Sequence, residues 1–112
     1  MIDININYSF HFLERVKERM GMSVHDFNNF WKYNTKIKIF HGKYENRDKR
    51  VMTHYLTKYE GKYFIIIREK TNFVTVLTEV YYRKQSWAVP LSPNIEKLEE
   101  YLSQRDNQKE FR

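Results

Sequence analysis

His11, Arg15 and Arg19 recur at four-residue spacing, which sets an imidazole and two guanidiniums along one edge of a helix. An imidazole near its ordinary pKa can take or give a proton around neutral pH. A guanidinium stays charged and grips phosphate through two parallel hydrogen bonds. These are parts that metal-free RNA cleavage requires: a base for the 2′-hydroxyl, an acid for the departing 5′ oxygen, and cations for the charge on the phosphorus oxygens. Other candidates fall on strands. His54 shares the alternation of Met52 and Leu56, and Thr75 shares a face of the last strand with Glu79. Lys36, Lys38, Arg50 and Arg68 are cations available for phosphate along the same strands.

Each of these residues also has a plainer reading. The helix edge reads as solvent-facing surface, with Arg15 and Arg19 paired to Glu14 and Glu18. His54 reads as a hydrogen-bonded core residue, His25 as solvent-facing, and His41 as the end of a strand. Thr75 fits a strand by propensity alone. Tyr55, Tyr59, Tyr63, Tyr81 and Tyr82 can stack on bases or pack the sheet.

Several chemistries are unsupported. The four histidines lack H-E-x-x-H spacing and the chain has no cysteine, so neither a zinc site nor a disulfide is expected. There is no glycine-rich phosphate loop, no G-x-S-x-G and no paired-acid signature, so no metal or cofactor is expected. No apolar run reaches membrane length and no signal-peptide pattern opens the chain, so a soluble cytoplasmic protein is expected.

The 112 residues suit one domain, and 17% aromatic content supplies a core. The net charge of +6 is unevenly placed. Residues 1–31 carry three Lys/Arg against four Asp/Glu, and residues 95–112 carry four against five. Residues 32–94 carry thirteen against five, so the whole excess lies there. A basic middle fits an anionic partner such as nucleic acid or an acidic protein, and equally a solvated surface.

The elements that must position these side chains follow from pattern. Residues 1–7 alternate apolar and polar, as an edge strand does. Ser9 caps a first helix that ends at Gly21, with Phe12, Val16 and Met20 as its buried stripe. Ser23 with Asp26 opens a second helix as a capping box, with Val24, Phe27, Phe30 and Trp31 facing inward and Asn34 as terminator. Strands are predicted over 36–41, 50–59, 62–68 and 73–82, with a polar loop over 42–49 and tight turns at Glu60-Gly61 and Lys70-Thr71-Asn72. On the last strand, Val74, Val76 and Val80 are expected on one face, with Phe73, Thr75, Leu77, Glu79 and Tyr81 on the other. Residues 83–91 read as irregular. Ser92-Pro93 starts a short closing helix with Ile95, Leu98 and Leu102, and residues 105–112 read as a frayed charged tail. The fold class is therefore α+β: two N-terminal helices, a four-stranded antiparallel meander and a short C-terminal helix.

The run Tyr8, Ser9, His11, Leu13, Arg15, Arg19 resembles the helix of small nucleases of the barnase–EndoU–colicin–RelE superfamily. It is similar in particular to RegB-type phage endoribonucleases and RelE-type toxins. The segment from Phe64 to Val76 resembles the apolar strand, turn and V-T-V strand that end the sheet in many such domains. The resemblance covers roughly residues 8–82 and implies a single domain of that type over residues 1–104. It implies metal-independent endonucleolytic cleavage of RNA, mRNA in particular and on the ribosome in some members, leaving a 2′,3′-cyclic phosphate. His11 would be acid or base, Arg15 and Arg19 phosphate clamps, Thr75 a positioning hydroxyl and His54 the second acid/base, with Arg68 a further phosphate contact. Partners would be RNA and a protein antitoxin or host target. The alternative is a non-catalytic basic module that binds nucleic acid or inhibits a host protein.

Overall fold

Two residues fix the first helix and join it to the sheet. Ser9 is the N-cap of α1 (Phe10–Met20), accepting from the Phe12 amide at 3.0 Å. The same hydroxyl donates to the Val74 carbonyl at 3.0 Å, and the Ser9 amide donates to the Phe73 carbonyl at 3.1 Å. Gly21 ends the helix at φ 66°, where a side chain would be strained. Both caps stand where the sequence places them. The computed structural model describes residues 7–44 and 50–110. The alternating segment before Asn7 and most of the expected 42–49 loop lie outside the described residues.

β1 (Asn7–Tyr8) precedes α1, and α2 (Val24–Tyr33) follows it behind the expected Ser23–Asp26 capping box. β2 (Lys36–Lys43), β3 (Val51–Tyr59), β4 (Lys62–Glu69) and β5 (Asn72–Thr78) form the antiparallel meander. The turn between β3 and β4 places Glu60 and Gly61 at positive φ, which matches the twist of a two-residue hairpin. β1 pairs with β5 in parallel, so the order is β1-β5-β4-β3-β2. α3 (Glu79–Arg83) and α4 (Ser92–Glu110) complete the chain. No helix among the described residues is long and apolar enough to cross a membrane.

Helices cover both faces of the sheet, so there are two cores. On the α1/α2 side, Phe12, Val16 and Phe27 pack on Phe64, Ile66, Phe73 and Val76. On the other side, Leu56, Ile65 and Ile67 meet Tyr82, Leu91 and Leu98. β4 contributes to both, as its apolar run requires. Val24 of α2 was expected inward and is 44% exposed, because it stands in the first turn beyond the reach of the sheet.

The last strand departs from expectation. It stops at Thr78, and Glu79–Arg83 are helical. The Thr78 hydroxyl accepts from the Tyr81 amide, and Glu79 and Arg83 form an i,i+4 ion pair at 2.9 Å. A cap, an acid in the first turn and a matched base one turn later favour a helix over the β propensity of Val80 and the tyrosines. The faces also differ. An extra residue near Val74 shifts the register between Ile67–Thr75 and Arg68–Phe73. Phe73 and Val76 therefore share the α1/α2 side, while Val74, Thr75 and Leu77 look to the other. Thr75 and Glu79 consequently do not share a strand face. α4 is also longer than expected and runs to Glu110. It is fastened by Leu98 and by the Glu99 carboxylate, which accepts from Lys58 Nζ at 2.8 Å and from the Tyr63 hydroxyl.

Phe73 is fully buried among Tyr8, Phe12, Phe27 and Trp31, with ring centroids 4.9 to 5.3 Å away. Truncation leaves a cavity that four rings from three other elements cannot fill. Phe73→Ala is expected to lower unfolding stability by about 3 to 5 kcal/mol, read from urea denaturation midpoints at unchanged slope.

Candidate nucleic-acid interface

The helix edge that carries His11, Arg15 and Arg19 is engaged within the protein. His11 is solvent-facing, its side chain 76% exposed, with Nδ1 3.9 Å from a Glu14 carboxylate oxygen. Arg15 donates to Glu18 at 2.9 Å. Arg19 donates to the Val76 carbonyl and lies 5.0 Å from the Tyr81 ring centroid. Arg19 thus closes the outer edge of β5 two residues beyond the carbonyl taken by Ser9. For Arg15 the surface ion-pair reading describes what is found, and Arg19 has a structural task that its sequence spacing did not reveal.

His54 lies on the α3/α4 side and is 0% exposed. Tyr82 Oη is 2.9 Å from Nδ1 and Tyr44 Oη is 2.7 Å from Nε2. A neutral imidazole satisfies both tyrosines by donating to one and accepting from the other. Phe40 and Trp87 close over the ring. Burial holds the His54 pKa down at about 4, so the ring is neutral at pH 7 and does not meet solvent. Thr75 is on that same side, lining an apolar cavity of about 240 Å³ with Met52, Val74, Leu77 and Trp87. His11, His54 and Thr75 therefore do not converge: the first stands on the α1 flank, and the sheet separates it from the other two.

The strand cations behave differently. Arg50 is paired to Glu69 through two hydrogen bonds of 2.6 and 3.1 Å. Arg68, Lys36 and Lys38 instead gather on the α1/α2 side, at the corner of β4, β3 and β2. The Arg68 guanidinium lies 4.7 Å from the Phe73 centroid and 5.2 Å from the Trp31 centroid. Lys36 Nζ sits 4.5 Å from the Trp31 centroid and donates to the Trp31 carbonyl at 2.6 Å. Trp31 is thus half-exposed between two cations, and Tyr55 meets it edge-on at 5.0 Å. Cross-strand pairing puts Lys38 beside Tyr55, and it puts Thr53 between His41 and Arg68. His41 is exposed, with Nδ1 2.8 Å from the Thr53 hydroxyl.

No carboxylate pairs with Arg68, Lys36 or Lys38 among the described residues. Burial, and then the Arg68 charge, lower the Lys36 pKa. The Arg68 Nε is buried without a hydrogen-bond partner among the described residues. Two like charges held together beside an unsatisfied donor are costly unless an anion joins them. The aromatic faces of Trp31 and Tyr55 add flat apolar surface next to that charge. His41 and Trp31 are the contributors that the sequence pattern does not place here: it makes His41 a strand end and Trp31 a core residue. The available signal was the basic–apolar alternation of the strand after α2, which sends Lys36 and Lys38 to one face.

No group of three or more His, Asp or Glu side chains able to hold a metal occurs among the described residues. Compared with known proteins, the chain matches no family model, no curated protein and no solved structure.

The sealed histidine gives a pH dependence with a definite sign. Between its folded pKa of about 4 and the ordinary value of 6.5, the unfolded chain binds a proton that the folded chain refuses. The stabilisation from neutral His54 is full above pH 6.5, falls as pH drops through that window, and levels off below about 4. The loss is expected to reach about 3 kcal/mol. It is checked by urea unfolding across that range, with His54→Gln removing most of the slope.

Proposed function

We propose that the protein binds RNA on the sheet corner formed by Lys36, Lys38, Arg68 and His41, with Trp31 and Tyr55 as its aromatic floor. The observation that carries this reading is the gathering of Arg68 and Lys36 on Trp31, with Lys38 beside Tyr55, and no paired carboxylate among the described residues. Cations supply sequence-independent attraction to phosphate, and the rings offer surface for bases. The overall charge adds a long-range field of the right sign. Preference for RNA over DNA rests on the likeness of the α1 motif to the barnase–EndoU–colicin–RelE superfamily. The proposal keeps that likeness and moves the anion site from α1 to the sheet.

Cleavage is the second reading, and one observation favours it. His41 is exposed and stands in the same cross-strand row as Arg68, their backbones about 10 Å apart across two strand spacings. In this reading the 2′-oxygen bonds to phosphorus while the bond to the 5′ oxygen breaks. His41 takes the 2′ proton, water supplies one to the 5′ oxygen, and Arg68 faces the phosphoryl charge. His54 has no part in such a step, because its ring is enclosed.

Fluorescence anisotropy with a labelled RNA tests binding. Affinity should fall steeply with salt, and Lys38→Ala should reduce the log–log salt slope by about 0.7. Absence of binding at low salt, or a slope that Lys38→Ala and Arg68→Gln leave unchanged, sinks the proposal. Cleavage is read separately, with end-labelled RNA in EDTA. Products ending in a cyclic phosphate, lost in His41→Ala while binding persists, would establish the stronger reading.

A further inference from the structure

Among the described residues β2 is the last strand of the sheet, and no strand pairs with its outer edge. α4 packs on the face opposite α1 and α2, and between it and β2 lies a groove of about 290 Å³ lined by Thr35, Lys36, Ile37, Lys38, Lys97 and Tyr101. Three of the six residues are lysines and none is acidic. Arg105 of α4 reaches across to donate to the Thr35 hydroxyl, which brings a fourth cation to the same place. Glu99, two residues from both Lys97 and Tyr101 on the same helix, is bound to Lys58 and Tyr63. Tyr101 is 46% exposed, and its ring packs on no other aromatic ring among the described residues.

Lys36 and Lys38 belong to this groove and also to the sheet corner, so the two surfaces share a wall. The corner lies on the α1/α2 side, and the groove turns around the β2 edge towards α4. A phosphate chain leaving the corner past Lys38 meets Lys97 next, and it meets a free aromatic face on which a base can stack.

We propose that this groove is a second nucleotide subsite, through which a single strand of RNA continues from the sheet corner around the edge of β2, with a base stacked on Tyr101 and phosphates at Lys38 and Lys97. The proposal rests on the reading of the corner as an RNA site and extends it to a substrate class. A double helix is stiff over distances on the order of a hundred base pairs and does not fold around the edge of one strand. A single strand does, and stacking on tyrosine needs a base that is not already paired.

The test uses the full chain and labelled RNAs of about 4 and about 12 nucleotides, together with a duplex of the longer sequence. Tyr101→Ala is expected to weaken binding of the long strand by about 10-fold. Lys97→Ala should lower its salt slope by about 0.7. Neither should alter binding of the short strand, which the corner accommodates alone, and the duplex should bind more weakly than the single strand. Thermal melting of both variants should match the parent, since both side chains are exposed. Binding of both lengths unmoved by either substitution, or equal binding of duplex and single strand, overturns the groove while the corner stands. No binding of either length overturns both. A labelled polyglutamate peptide that binds with the same dependence on Lys97 and Tyr101, where RNA does not, overturns the proposal in favour of an acidic protein partner.

Discussion

Arg68 can stand on a helix-covered face of the sheet because an aromatic ring lies under it. Phe73 is fully buried and presents its ring to the guanidinium at 4.7 Å. Tyr8, Phe12, Phe27 and Trp31 close around that same ring. β1, α1, α2 and β5 therefore meet at one side chain, and the unpaired cation rests on the cluster they make. The arrangement replaces part of the lost hydration of Arg68 with the negative faces of two rings, without cancelling its charge. A carboxylate in the same place would stabilise the cation more strongly and would cancel its charge.

The position of Phe73 depends in turn on the irregularity beside it. With strict alternation, Phe73 and Val76 would point to opposite faces, and so α1 and α2 would lose one of them. The additional residue near Val74 puts both on the α1/α2 side and turns Thr75 to the other. No residue type in that segment announces a bulge, since it contains neither glycine nor proline. The caps were legible for the opposite reason. Ser9, Gly21, the Ser23–Asp26 box and the Glu60-Gly61 turn are local chemistry, determined within four residues. α3 was hidden although its signals are also local, because Val80, Tyr81 and Tyr82 weighed towards a strand.

For the candidate site, charge distribution and helical spacing point to different elements. The concentration of charge in residues 32–94 pointed to the sheet, where the unneutralised cations are found. The spacing of His11, Arg15 and Arg19 pointed to α1, where the geometry shows an ion pair and an edge contact. Helical spacing states which side chains share a face, and it carries nothing about what opposes that face. The partners that decide the matter come from far along the chain: Val76 for Arg19, and Tyr82 for His54.

The two margins of the sheet are finished differently. On the β5 side, β1 occupies the first residues, and Ser9 and Arg19 take the carbonyls of Val74 and Val76. On the β2 side no strand pairs among the described residues, and the margin is interrupted by one irregularity near Ile39 and flanked by lysines. A break in register and flanking charge make that margin a poor template for a strand of a second copy, so it resists edge-to-edge association.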